Sequence, residues 1–379
     1  MLTTKNIAKL LCALLLLTAP VHLHAQASEQ AGPSVVFFNP NPPGNTFWDM
    51  VSNFMRAVAE DLDVELQVVH SKGNPYSYKK DGLELVETLS KNDYLVTAYF
   101  SSSSSIKYIQ RANEKGIKVF VINTGIPDDE REIMGEPRVK LANWIGHMAP
   151  SDFQAGYELA DILINKAMLL NPGTNTAIRV VGMGGGTDTI VPLRRKEGFE
   201  KRIAEQPNVR LDDLIDTAWT RPEAKITARE LLNRNPEAQV VWTLSDPAAL
   251  GVVDAAKAAG KKPGVDILTG GIDWSPDAIE AVAAGEMTAS VGGHFFEGGW
   301  ALLLIHDYYH GIDFINDPGK TSVTRMSAIT ADNVQAYLKR LSSPDWSKID
   351  FKQFSKKYNP SLQKYDFSLE ALLKAFDDK

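Results

Sequence analysis

Residues 104–123 read SSIKYIQRANEKGIKVFVIN, and this stretch decides the fold class. Ser104 to about Lys115 reads as a helix, and Gly116 is the residue type that most often ends one. Lys118 to Ile122 is an apolar run of strand length, and Asn123 is the first polar residue beyond it. A helix that feeds a buried strand through a short turn is the repeating unit of a parallel sheet.

The unit recurs on both sides of that stretch. Val35 to Phe38 is a buried strand, and Phe47, Val51, Phe54, Met55, Val58 and Leu62 recur at helical spacing. Val64, Leu66 and Val68 alternate as a strand does. A helix from about Tyr76 to Leu89 and a strand from Tyr94 to Phe100 complete the first half. In the second half a helix starts at Ser151 or Asp152 and ends near Leu170. Strands are expected at 177–182, 209–217, 239–244 and 265–269, with helices at about 192–205, 222–233, 247–259 and 276–284. Strand starts fall about 24–32 residues apart in both halves, which predicts two α/β domains of like architecture. Two more strands, 288–291 and 322–329, flank a helix from about Phe296 to His310. The tail from Pro344 is polar and aromatic and reads as a packed surface extension ending in a helix over 368–376.

Composition narrows the function classes. The chain has 379 residues, 44% of them hydrophobic and 23% charged, enough for two ordinary domains. Forty basic residues against 47 acidic ones give a net charge of −7, so a nucleic-acid partner held by phosphate neutralisation is not expected. Lys5 and Lys9, the apolar run Leu10 to Leu17 and the segment Leu23-His24-Ala25 follow the order of a secretory leader, with cleavage expected after Ala25. The single cysteine, Cys12, lies inside that leader. Leu11 precedes it, so a lipid anchor is not expected, and the exported chain has neither a disulfide nor a thiolate metal site.

Several short segments stand at strand ends. Asn45-Thr46-Phe47-Trp48 occupies the first strand-to-helix turn. Asn123 ends the strand already described. Ser151-Asp152-Phe153-Gln154-Ala155-Gly156 begins the second half, and Arg195-Lys196-Glu197-Gly198-Phe199 lies in the helix after the 177–182 strand. Ser245-Asp246 leads to Ala249-Leu250-Gly251, and Gly270-Gly271-Ile272-Asp273 closes a further strand. With these landmarks in this order, the chain resembles the type I periplasmic binding proteins of the ribose/galactose group, the sugar-binding components of ABC transporters. The resemblance covers about Val35 to Leu341. It implies two doubly wound parallel-sheet domains joined by a three-segment hinge around a ligand cleft. The expected first domain is 34–147 plus 294–322, the second 148–293 plus 323–343, and 344–379 is an extension.

The resemblance also names the candidate ligand contacts: Asn45, Phe47, Trp48, Asn123, Arg195, Ser245, Asp246, Asp273 and His294. Ligands of open α/β sheets sit beyond the carboxyl ends of the strands, where most of these residues fall. Asp and Asn acceptors, Asn and Arg donors and aromatic faces suit a polyhydroxylated ligand. Each has a structural alternative. Phe47 keeps the core stripe of its helix, whereas Trp48 lies off it. Asn123 before Thr124-Gly125 could be a turn residue, and Asp246 and Asp273 could cap helices. The chain departs from the family at Asn123, often Asp; at Ser245, often Asn; and at Gly293, usually Gln, leaving His294 as the nearby polar group.

No cofactor or metal is expected, since His306 and His310 make only two ligands. The reading is a non-enzymatic periplasmic protein, a monomer, that carries a sugar-like ligand to an ABC-transporter permease. A receptor subunit for a membrane sensor is the alternative, because autoinducer-2 receptors share the fold. Their site is similar at Asn123 and Ser245-Asp246, but the arginine expected near Gly293 is absent. An exported enzyme ranks last, since no Gly-x-Ser-x-Gly or His-Glu-x-x-His motif occurs.

Overall fold

The computed structural model describes residues 32–377, apart from 101–103, 174–175 and 187. The expected leader and Cys12 lie outside the described residues, as do three serines of the 101–105 run.

The first sheet collects β1 (Ser34–Asn39), β2 (Glu65–His70), β3 (Tyr94–Thr97), β4 (Lys118–Ile122) and β5 (Trp144–Pro150), with α1 (Thr46–Asp61), α2 (Pro75–Thr88), α3 (Ser104–Glu114) and α4 (Asp128–Met134) between them. The chain then passes directly into α5 (Asp152–Leu170) and a second sheet. That sheet holds β6 (Ile178–Gly184), β7 (Val209–Asp216), β8 (Val240–Thr243), β9 (Leu268–Asp273) and β10 (Ala289–Gly292). Its helices are α6 (Val191–Ala204), α7 (Arg221–Arg234), α8 (Asp246–Ala258) and α9 (Pro276–Ala283). Through α10 (Glu297–Tyr309) the chain returns to the first lobe, where the helix packs on α1, β3, β4 and β5. It adds β11 (Thr321–Thr324) there, then crosses once more to β12 (Ser327–Thr330) and α11 (Val334–Leu341) in the second lobe.

The orders are β11-β5-β4-β3-β1-β2 and β12-β10-β9-β8-β6-β7. All described pairs are parallel except β10 with β12. In each lobe the first strand lies between the second and third, so the strand direction of winding reverses there and opens a crevice at the carboxyl edge. The two α/β lobes and their three crossings are therefore those expected from the sequence.

Details differ. β5 was not expected, because Gly146, His147 and Pro150 interrupt its apolar pattern. The expected 322–329 strand is two strands in different sheets, split at Arg325-Met326, and this break is the third crossing. β5 and β11 belong whole to the first sheet, so the sheets divide after Pro150 and Thr324, not at 147/148 and 322/323.

The tail is not a surface feature. Trp346, Ile349, Phe351, Phe354, Tyr365 and Leu372 join the largest apolar cluster, and Phe351 and Leu372 are fully buried. Trp346 stands edge-on to Phe54 of α1 at 5.2 Å. Asp61 Oδ2 accepts from the Phe351 and Lys352 amides at 2.6 and 3.2 Å, and Asp307 accepts from the Lys356 amide at 2.7 Å and Tyr365 OH at 2.8 Å. Since α11 packs on α9 of the second lobe and the tail packs on α1, residues 342–346 form a further passage between the lobes. The tail aromatics need an apolar partner surface, and Phe54 of α1 (against Trp346 and Phe351) and Trp300 of α10 (against Phe354 and Phe367) present one.

Candidate ligand site between the lobes

Arg195 is the centre of the site. It lies on α6, only 3% exposed, and donates from Nε to Asp152 Oδ1 at 2.8 Å and from Nη1 to the Leu244 carbonyl at 2.9 Å. Two glycines make this reach possible. A Cβ on Gly156 would stand 1.9 Å from the Arg195 carbonyl oxygen, and one on Gly198 would stand 2.0 Å from that of Phe153. The backbones of α5 and α6 therefore touch, and the arginine enters the space beside the first residue of α5. This is the physical content of the Asp152…Gly156 and Arg195…Gly198 spacings.

Asp273, the last residue of β9, approaches Arg195 Nη1 and His294 Nε2 at 3.6 Å each, an ion-pair distance to the guanidinium and beyond hydrogen-bond reach of either. Its backbone φ is +143°, and Trp274 follows at +63°. A side chain seldom adopts such angles, and they turn the strand end sharply. Burial pushes the Asp273 carboxyl well above its ordinary range, against the pull of Arg195. The Trp274 indole explains the glycines at 292–293: a Cβ on Gly292 would meet its ring at 2.5 Å, and its Nε1 donates to the Ser290 carbonyl at 3.1 Å.

From the first lobe come Asn123 and Phe47. Asn123 has φ +62° and is 4% exposed. Its amide N–H and its Nδ2 both donate to Glu297 Oε2, at 2.7 and 2.9 Å, and Nδ2 also donates to the His294 carbonyl at 2.7 Å. Phe47 is half-buried and stacks on the His294 ring at 4.7 Å, with Trp48 edge-on to Phe47 at 5.2 Å. Trp48 also lies near Phe37 of β1 at 6.3 Å. Nearby, a Cβ on Gly125 would meet Ile190 of the second lobe at 3.2 Å, so the lobes touch at this edge.

His294 thus joins the two lobes. Burial, and after it the Arg195 charge, push its pKa well down, so the ring is neutral. Arg195 Nη2 stands 3.3 Å from Nε2, and a guanidinium can only donate, which assigns the ring proton to Nδ1. Three buried atoms on these touching residues meet no described protein group: His294 Nδ1, Asn123 Oδ1 and Glu297 Oε1. Together they offer one donor and two acceptors, the pattern that two hydroxyl groups satisfy, each donating to one oxygen and one of them accepting from the ring N–H.

Three expected contacts have other partners. Asn45 is the N-cap of α1, accepting from the Trp48 amide at 3.1 Å. Ser245 is fully buried and caps α8, accepting from the Ala248 amide at 3.4 Å. Both Asp246 oxygens are occupied inside the second lobe: Ser275 N–H donates at 2.7 Å and Ser290 Oγ at 2.8 and 3.0 Å. Burial raises the Asp246 carboxyl to about 6. Asp152 and Glu297 join the site without having been among the expected contacts. Glu297 had a legible signal, being the one acid in the glycine-rich, apolar run 291–305. Among the described residues no group of three or more His, Cys, Asp or Glu could hold a metal.

A family model described as "Periplasmic binding protein domain" matches residues 35–308. A solved "Periplasmic Sugar-binding protein" from Pseudomonas fluorescens is 32% identical with a TM-score of 0.80, covering 90% of this chain and 99% of that one. The "Ribose import binding protein RbsB" of Escherichia coli is 25% identical over 76% of this chain and 86% of its own length. The "Galactofuranose-binding protein YtfQ" of Escherichia coli is 35% identical, but the match spans 30% of this chain and about a third of that protein, 36%.

Proposed function

The chain belongs to the periplasmic binding protein family, and from that premise we propose that it captures a neutral sugar or polyol between its lobes and delivers it to an ABC-transporter permease. It is a binding protein, not an enzyme. The observation that carries the reading is the cluster of Asn123, Arg195, Asp273, His294 and Glu297. These residues come from a strand end of each sheet, from α6 and from the second crossing, and three of them hold unmet hydrogen-bonding capacity. A ligand bridging them binds the closed arrangement and not the open one, which is how a cleft protein signals occupancy.

Charge narrows the ligand class. One guanidinium, Arg195, faces Asp152 and Asp273, with Asp246 and Glu297 also buried close by. Burial raises all four carboxyls. The one cation is already shared by Asp152 and Asp273, so a sugar acid or sugar phosphate finds no further cation among these groups to offset burial of its charge, a cost the neutral parent sugar does not carry. The family names of the relatives, import binding proteins, favour a permease over a membrane sensor as partner. Periplasmic location after cleavage at Ala25, and a monomeric state, complete the proposal.

A thermal-shift screen tests it. Neutral aldoses in pyranose and furanose forms, and polyols, are expected to raise the unfolding midpoint, while the corresponding uronic acids and phosphates are not. A screen in which no neutral carbohydrate or polyol moves the midpoint sinks the proposal. With the strongest ligand in hand, Asp273→Ala is expected to weaken binding by about 1.5–3 kcal/mol, the loss of a hydrogen bond to a charged or strongly polarised group. Calorimetric titration that returns the wild-type affinity removes Asp273 from the site.

A further inference from the structure

We propose that Glu297 is a positioning residue of this site, clamping Asn123 at the end of β4 and anchoring that strand end to the hinge. The inference rests on the cleft being the sugar site, and it concerns how the site is held in shape.

Glu297 is the first residue of α10 and is fully buried. A carboxylate there is costly, and no cation pairs with it among the described residues. What it does instead is take both N–H groups of one residue on one oxygen, the amide and Nδ2 of Asn123. The Asn123 amide is shared: it also donates to the Met148 carbonyl of β5 at 3.0 Å, so this backbone, in a left-handed conformation that asparagine tolerates better than most residues, is held between β5 and Glu297. The side-chain bond settles which way the amide faces. Glu297 Oε2 and the His294 carbonyl are both acceptors, so Nδ2 points to them and Oδ1 is turned the other way. That Oδ1 is one of the buried atoms with no described partner, and it is the acceptor that Asn123 offers.

The anchor is the hinge itself. Glu297 immediately follows the second crossing. The Ser151 amide donates to the Thr324 carbonyl at 3.0 Å, tying the first crossing to the third. The Thr324 hydroxyl lies near Glu297 and, with Asn123, opposes the burial that raises this carboxyl to about 7. One side chain therefore links the ligand end of β4 to the segments about which the lobes turn. A plain helix-dipole role for an acid at a helix start needs neither burial nor these bonds to Asn123.

The test uses full-length exported protein and the variants E297A, E297Q, E297D, N123A and the E297A/N123A double. The first readout needs no ligand. Amide hydrogen exchange at Asn123, whose N–H keeps the Met148 carbonyl as a second acceptor, is expected to accelerate at least ~3-fold in E297A and E297D, which withdraw the Glu297 oxygen, and to stay at about the wild-type rate in E297Q, which keeps one. The second readout is the Kd for the sugar that shifts the wild type most. E297A is expected to weaken binding at least ~10-fold, E297Q to restore it, and the double variant to bind no worse than N123A alone. Should E297A not fold, E297D against E297Q decides the same question. Unchanged exchange in E297A and E297D, or effects of E297A and N123A that add, overturns the proposal. If the wild type binds no sugar at all, the functional reading falls, and the exchange data still decide the role of Glu297.

Discussion

Replacing Arg195 with methionine is expected to abolish measurable sugar binding and to lower folding stability by about 3–5 kcal/mol, the usual consequence of removing one partner of a buried ion pair. Methionine fits the volume but supplies no donor. Asp152, 5% exposed, loses its 2.8 Å partner, and the Leu244 carbonyl loses its donor at 2.9 Å. Asp273 and His294, which the guanidinium holds in common, lose the group that fixes their separation. Burial already pushes the Asp152 carboxyl upward, so in the variant it takes up a proton instead of remaining a naked charge. The stability loss is therefore smaller in acid than at neutral pH. Adding Asp152→Asn is expected to recover part of the stability and none of the binding. Urea unfolding and calorimetric titration read the two quantities separately. A methionine variant that retains wild-type affinity would remove Arg195 from the binding role.

Ending the chain after Ser343 is expected to leave no stable fold. Trp346, Ile349, Phe351, Phe354, Tyr365 and Leu372 are each at most 9% exposed. Burial of a large apolar side chain stabilises by roughly 1.5–3 kcal/mol, so six of them contribute on the order of 10 kcal/mol. That matches the whole net stability of a typical protein, about 5–15 kcal/mol. The deletion also bares the apolar faces of α1 and α10. Asp307, fully buried, is held below the usual carboxylate range against the effect of burial by His306 first and then by Ser355, Tyr365 and Lys356, and the deletion removes the last three. Circular dichroism melting of the truncated and full chains checks this. A truncated chain that melts within a few degrees of the full one would show the tail to be dispensable for folding.

Much of the fold was legible because parallel strands covered on both faces become continuous apolar runs. Val35 to Phe38 and Lys118 to Ile122 carry that signature without ambiguity. β5 does not, since Gly146, His147 and Pro150 serve local needs within a strand that is equally buried. The 322–329 segment looks like one strand because both of its halves are strand-like; only their pairing to β5 and to β10 separates them. The tail aromatics announced packing, but not that the partner surface lies some 290 residues earlier in the chain, where Asp61 receives the Phe351 amide.

The site follows the same division. Chain position placed Asn45, Asn123, Ser245, Asp246 and Asp273 at strand ends, and a strand end is where both helix caps and ligand contacts sit. By itself the sequence therefore determined the alternation of strands and helices, the two lobes and the set of polar residues available at the crevice. Those properties are written in the periodicity of single segments, which depends on neighbours a few residues away. Tertiary structure alone decided that Ser245 caps a helix, that Asp246 ties β10 to the start of α9, and that Asn123, Arg195, Asp273, His294 and Glu297 converge. The reason is distance along the chain: the partners of Arg195 lie 43, 49 and 99 residues away and that of Asn123 174 residues away. No local pattern encodes a hydrogen bond whose two ends the chain brings together only by folding.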